Sequence, residues 1–391
     1  MSERKFPNWL DAYDEFVESD EPPTLYKKWS GISAIASVLQ RKCWLRWIRH
    51  AETFANMYIV LVGPSGIGKS QAMGPTYNFL RALNIETAAQ STTRQALIQN
   101  LTEATASSIN ADGEVMSHCS LTIYSKELSV FLGFKDMELI AALTDWYDCE
   151  DPWTYRTRGR GKEQIDGIWV NLLGATTPNL LHTSLPEDAI GGGLTSRIVF
   201  VYADKKSNDI PIPFLTDVDE GMYADLLSDL EIIHMMEGQF KVSEGFITAW
   251  IPWYASHLGK IVLPDEKFSG YASRKKAHVL KLSMIQCAAR TSDMVITEHD
   301  LARAIADLDK VEENMDRVYL GYGRTDLADM MPALMFRIEK YKRISRGELL
   351  KTYMADIRPP EMDELLGMLK DIGYIKVEHF EGQLWVEYIG D

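Results

Sequence analysis

The chain is poor in cysteine and has no long apolar run. Its four cysteines, Cys43, Cys119, Cys149 and Cys287, stand far apart with no paired spacing. That pattern excludes a disulfide framework and a zinc ribbon, and points to reduced, buried thiols. No stretch reaches the roughly 18 consecutive apolar residues of a membrane-spanning helix, and the opening MSERKFPNWLDAYDEF has no apolar signal core. The expected location is therefore cytoplasmic, with no membrane partner. Internal repeats and low-complexity tracts are absent. Basic residues are in the minority, 41 against 56 acidic, for a net charge of −15. This excludes a surface that coats nucleic acid indiscriminately, and leaves room for a grip through a few local basic groups such as a pore. What is present is ordinary for a globular protein, 25% charged and 46% hydrophobic residues, over a length of 391 that suits two or three domains.

One stretch dominates the rest. Residues 63–70 read GPSGIGKS and fit G-x-x-x-x-G-K-[ST] at every constrained position. Gly63, Gly66 and Gly68 let the backbone turn tightly, so that the loop of Gly63, Pro64, Ser65, Gly66, Ile67 and Gly68 wraps an anion with successive N–H groups, those of all but the proline. In this pattern Lys69 reaches the β- and γ-phosphates of ATP, and Ser70 holds Mg²⁺, with Gln71 following in the helix. The context agrees. Met57–Val62 is an apolar run that predicts a buried strand, and a helix from Lys69 onward points its positive end at the phosphates.

Periodicity predicts an α/β fold, with a parallel sheet covered on both faces, in four segments. Residues 1–50 read as a helical lead-in, broken at Glu21-Pro22-Pro23 and resuming from Leu25 to about Leu45. Residues 51–217 hold the loop, a helix start at Ser91-Thr92-Thr93, and further strands at Ser120–Tyr124, Ile168–Leu173 and Arg197–Tyr202. The polar, proline-bearing stretch 203–217 reads as a linker. Residues 218–328 read as a helical lid. Residues 329–391 predict three helices and then a hairpin, Tyr374–Glu378 and Leu384–Tyr388, the pattern of a winged helix-turn-helix.

Triphosphate hydrolysis needs more than the loop. Glu127, just past the second strand in TIYSKELSVFL, suits a carboxylate that aligns water, although it also suits a simple helix start. Ser125 and Lys126 stand where an acid usually precedes it, so either the metal leans on Ser70 and water or hydrolysis is slow. Thr176, ahead of Thr177, ends the third strand in GATTP and suits a γ-phosphate sensor. GGGLTSR places Arg197 at the mouth of a strand, where it suits a finger completing a neighbour's site. Arg274, in GYASRKKAHVLKLSM, suits a group reaching back to the phosphates of its own subunit. The densest basic stretch is Trp153-Thr154-Tyr155-Arg156-Thr157-Arg158-Gly159-Arg160-Gly161-Lys162. It reads as a hairpin tip in which Arg156, Arg158, Arg160 and Lys162 meet phosphates and Trp153 or Tyr155 stacks on bases.

The order strand–GPSGIGKS, YSKELSVFLG, NLLGATTP, GGGLTSRIVFVYAD and a helical stretch resembles the AAA+ ATPases, over roughly residues 25–320. Within them it resembles the ring helicases of phages and mobile elements, including primase–helicases, and the minichromosome-maintenance class with its Ser-Arg finger and winged tail. The resemblance implies a hexameric ring in a bacterial or phage-infected cytoplasm, ATP at subunit interfaces, Arg197 acting in trans, and a basic hairpin gripping single-stranded DNA in the pore. The expectation is an ATP-dependent DNA helicase that meets replication proteins through its tail. A regulatory ATP switch or helicase loader that does not unwind is the alternative, and a small-molecule kinase is a third reading. The lack of an Asp beside Glu127 is the one departure from the family pattern.

Overall fold

The computed structural model describes residues 3–48, 51–88, 93–109, 115–133, 135–157, 161–185, 191–212, 219–257, 268–319, 330–354, 357–380 and 382–390. The chain divides into two compact units, Met1–Tyr319 and Leu320–Asp391. Segments 1–50, 51–217 and most of 218–328 therefore share one unit.

In the first unit α1 (Trp9–Phe16) begins at Asn8, whose side chain accepts the N–H groups of Leu10 and Asp11. Helix α2 (Thr24–Leu39) is buried on almost every side and stops at Gln40, whose φ of 52° leaves the helical region. The helix expected to run to about Leu45 therefore ends six residues early. Two strands follow instead, β1 (Cys43–Ile48) and β2 (Ala51–Phe54), paired antiparallel. Next come β3 (Tyr58–Val62), α3 (Lys69–Ala82), α4 (Arg94–Glu103) capped by the Thr93 hydroxyl, β4 (Thr105–Ile109) and β5 (Val115–Ser125). Ser91 and Thr92 lie outside the described residues. Then α5 (Leu128–Leu132), α6 (Met137–Tyr147), β6 (Trp153–Thr157), β7 (Gly161–Ile165), β8 (Ile168–Thr176), α7 (Pro178–Ser184), a 3₁₀ turn at Thr195–Arg197 and β9 (Ile198–Tyr202) complete the core.

The central sheet has the order β4-β5-β8-β3-β9. Strands β5, β8, β3 and β9 are parallel, and β4 joins the edge antiparallel to β5. Every residue of β3 and β8 is buried, as expected of strands covered on both faces.

Beyond the core lie α8 (Glu220–His234), β10 (Gly238–Val242), α9 (Glu244–His257), α10 (Ser269–Arg290), β11 (Val295–Ile296) and α11 (Glu298–Glu312). The stretch expected to be wholly helical thus contains two strands. They extend β1 and β2 into a four-stranded sheet of order β11-β10-β1-β2. The lead-in is fastened to the same region. Asp229 of α8 accepts the N–H groups of Lys5 and Phe6 (2.7 and 2.9 Å), and the Trp9 indole N–H donates to Leu226 O at 2.8 Å.

The second unit contains α12 (Met331–Tyr341), β12 (Arg343–Ser345), α13 (Arg346–Tyr353), α14 (Pro359–Asp371), β13 (Ile375–Phe380) and β14 (Gln383–Tyr388). The helices and hairpin fall where the sequence puts them, and the short β12 adds a third strand to the hairpin. Leu334, Ile338, Leu349, Met362, Leu365 and Val386 form its core. The molecule is a mixed α/β protein, and no helix among the described residues is long and apolar enough to cross a membrane.

Candidate functional site

The glycine loop joins the buried end of β3 to the start of α3, and its root is held from three sides. The Tyr26 hydroxyl, from α2, lies 2.6 Å from Val62 O and 3.0 Å from Ala203 O. Gly63 donates its N–H to Thr176 O at 3.4 Å. A Cβ on Gly63 would sit 2.2 Å from Ala203 O and 2.4 Å from the Tyr26 hydroxyl, so only glycine fits there. Farther along, Gly66 and Gly68 have φ of 81° and 92°, in the left-handed region that a side chain disfavours. Ile67 is buried and pins the middle of the loop, whereas Pro64, Ser65 and Gly66 are exposed. Ser70 and Gln71 are exposed in the first turn of α3.

Lys69 turns back on its own loop. Its ammonium donates to Gly63 O and Pro64 O, each at 2.7 Å. Partial burial pulls its pKa below the ordinary lysine value, and the negative charge of Glu127 opposes that shift. Glu127 is exposed between β5 and α5, and its side chain makes no capping bond to α5.

Thr176 and Thr177 divide two tasks. Thr176 is buried level with Val62 in the register of β8 and β3, and its carbonyl receives the loop's first N–H. The Thr177 hydroxyl caps α7 by accepting the Leu180 N–H at 3.4 Å. Ser125 ends β5 opposite Gly174, with a buried hydroxyl that has no hydrogen-bond partner. Among the described residues no group of three or more His, Cys, Asp or Glu side chains converges to hold a metal. Ser70, in the first turn of α3, and Glu127, just past β5, both expose oxygen groups. The sequence reading missed Tyr26, because nothing local to α2 marks a tyrosine that props a loop 37 positions later.

The two arginines sit elsewhere. Strands β3 and β9 are parallel, with Tyr58 beside Ile198 and Val62 beside Tyr202. The loop follows Val62, whereas Arg197 precedes Ile198, at the opposite end of the strands. At 3.3 Å per residue the strand between them spans about 16 Å. Arg197 is not displayed there as an open finger. It is 8% exposed, its Nη1 donates to Gly193 O at 2.8 Å, and its Nη2 pairs with Asp148. Arg274, expected at the phosphates of its own subunit, lies at this same distant end, with Nη1 3.3 Å from Asp148. The reason is the seat of α10. Arg274, His278 and Lys281 share one face of that helix at i, i+4 and i+7, and this face packs on that end of the sheet. The His278 Nε2 lies 3.3 Å from Ser196 O, its Nδ1 lies 3.1 Å from the Tyr147 hydroxyl, and the Lys281 ammonium reaches Asn56 Oδ1 at 2.5 Å. Burial pushes the His278 pKa down to about 3, so the ring is neutral, with Nε2–H donating and Nδ1 accepting.

The hairpin expected around residues 153–162 is present as β6 and β7, paired from Trp153–Ile165 to Thr157–Gly161. Trp153 does not offer its ring to bases. It is 8% exposed, meets Trp146 edge to face at 5.4 Å, and stacks on Tyr155 at 5.1 Å. It anchors the hairpin, and Tyr155 remains half-buried above it. Arg158 and Arg160 lie outside the described residues, as do the side chains of Arg156 and Lys162.

No family model and no curated protein sequence matches the chain.

Proposed function

We propose that the chain is an ATP-hydrolysing motor of the AAA+ type that acts on nucleic acid. The observation that carries this reading is one juxtaposition. A glycine loop with two left-handed residues links a buried parallel strand to a helix, with Lys69 folded onto its carbonyls, Glu127 exposed just past β5, and Thr176 at the loop's root. Main-chain N–H groups and the α3 terminus receive the phosphates, and Lys69 exchanges its two carbonyl partners for phosphate oxygens. The Ser70 hydroxyl would hold Mg²⁺, which would supply charge neutralisation for phosphoryl transfer. Glu127 orients water toward the γ-phosphate, and Thr176 senses its presence from the neighbouring strand.

Arg197 and Arg274 lie too far from this loop to serve it, which supports a reading in which they face the nucleotide of a second copy, as in a ring. The β6–β7 hairpin, with the basic run Arg156–Lys162 at its turn, is the element proposed to grip single-stranded DNA. The second unit reads as a winged helix-turn-helix. Its helix α14 exposes Asp363, Glu364 and Asp371 beside a lone exposed base, Lys370, which favours a protein partner over a phosphate backbone.

A second reading, an ATP switch that loads or regulates partners, is favoured by Ser125 and Lys126 where an acid would stand. Strand displacement from a forked duplex separates the two, with Glu127→Gln as the inactive control. Displacement by the wild type and not by the variant supports the motor. ATP turnover stimulated by single-stranded DNA, with no displacement, supports the switch.

A further inference from the structure

Asp148 caps the C-terminal end of α6, and two guanidiniums reach it from separate parts of the chain. Arg197 comes from the turn before β9 and Arg274 from α10. The Arg197 Nε is buried and has no hydrogen-bond partner. A third cation, Lys281, is buried on the same face of α10 as Arg274 and donates to Asn56 O and Oδ1 at 3.1 and 2.5 Å. Among the described residues two guanidiniums thus share the Asp148 carboxylate, and Asp145 stands one turn before Asp148 on α6. Such a cluster has room, electrostatically, for a second anion. That anion is not the ligand of this chain's own loop, which opens at the far end of the strands.

The same turn of α6 also holds the hairpin. Trp146 packs on Trp153, and the Asp145 carboxylate lies 3.4 Å from the Trp153 indole nitrogen. The grip on the arginines and the base of the hairpin therefore share one helix end.

We propose that Asp148 is an internal stand-in for the phosphate of a nucleotide bound by a second copy of this chain, and that it positions the two arginines and the hairpin together. While Asp148 holds Arg197 and Arg274, the arginines are withheld. When a neighbour's γ-phosphate competes for them, Asp148 is released, and the end of α6 is free to shift the hairpin. Conversely, a strand that moves the hairpin loosens Asp148 and frees the arginines, so DNA stimulates hydrolysis. Asp148 is a positioning residue and touches no nucleotide. The proposal rests on the nucleotide reading above.

The test compares wild type with Asp148→Asn, which keeps the shape and removes the charge. ATP turnover is read with and without an oligothymidine strand, and a thermal melt verifies folding. Loss of a partly exposed ion pair of this kind should raise DNA-free turnover roughly two- to fivefold, and the stimulation ratio should fall toward one. A folded variant with the wild-type ratio overturns the proposal, because a scaffold role lowers both rates together and leaves their ratio alone. If Asp148→Asn does not fold, Arg274→Gln reads the device from the other side. Removing one competing cation tightens Asp148 on Arg197, so DNA-free turnover falls and the ratio rises; an unchanged or lower ratio overturns the proposal. Wild-type protein that neither binds nor hydrolyses ATP sinks the nucleotide reading and this proposal together. Wild-type hydrolysis with unmoved ratios sinks this proposal alone.

Discussion

Lys281 allows a sharp quantitative test of the packing at the end of the sheet opposite the loop. Its ammonium is fully buried on α10, bonded to Asn56 O and Oδ1, with the Tyr147 ring centroid 4.1 Å away. No carboxylate among the described residues forms an ion pair with it. Burial lowers its pKa from 10.5 to about 8. The sign follows from proton counting. Between those two values the unfolded chain binds the proton and the folded chain does not, so stability rises with pH across that window and is lost again as pH falls through about 8. At 1.36 kcal/mol per pH unit this corresponds to about 3 kcal/mol in all, most of it recovered between pH 7 and pH 10. Lys281→Met keeps the chain length and abolishes the titration. Leaving Asn56 Oδ1 without its donor adds a pH-independent cost of about 1–3 kcal/mol to the variant. Urea unfolding of both proteins at pH 7 and pH 10 gives the difference directly, and the titrations common to both cancel. Wild type should gain about 2–3 kcal/mol on the variant over that range. A difference that stays constant with pH refutes the desolvated lysine and the seat of α10 derived from it.

Other consequences concern the site itself. Gly63→Ala forces a Cβ against Ala203 O and the Tyr26 hydroxyl, so it should weaken nucleotide affinity at least about tenfold and lower stability by about 1–3 kcal/mol. Gly74→Ala, in α3 with open space around its Cβ, should leave affinity unchanged and stabilise the protein by about 0.5–1 kcal/mol, which calorimetry and melting check together. Arg197→Ala should lose turnover that returns on mixing with Lys69→Ala subunits; failure to complement argues against a site shared between copies. Replacing Arg156, Arg158 and Arg160 with Ala should weaken binding to single-stranded DNA and flatten its dependence on salt, and an unchanged slope would remove the hairpin from the mechanism.

Features whose partners lie close in sequence were legible before the structure. The strand–loop–helix at 58–82, the largely apolar β8 and the β6–β7 hairpin each announce themselves within a short stretch of chain. Features whose partners lie far away were not. Strand β1 pairs with β10 across nearly two hundred residues, Cys43 beside Gly238, and β10 in turn pairs with β11. Helical periodicity upstream of CWLRWI gives no hint of that partner, so the segment reads as a continuing helix until Gln40 breaks it. The same distance hid the chemistry at one end of the sheet. Asp148 and Arg197 are 49 positions apart, and only the parallel register shows that they meet at the end of the sheet opposite the loop. The surrounding arginines suggest that Trp153 or Tyr155 stacks on bases, but a large aromatic beside Trp146 gains more from burial than from display, and Trp153 is the one buried.

The central claim is that main-chain N–H groups between residues 63 and 70 hold a triphosphate. Isothermal titration of wild type and Lys69→Ala with magnesium and a non-hydrolysable ATP analogue tests it most directly. The account predicts binding by the wild type and a loss of at least about tenfold in the variant, the size of one buried charge-assisted contact. Equal affinity in the two proteins, or no heat of binding in either, would contradict it.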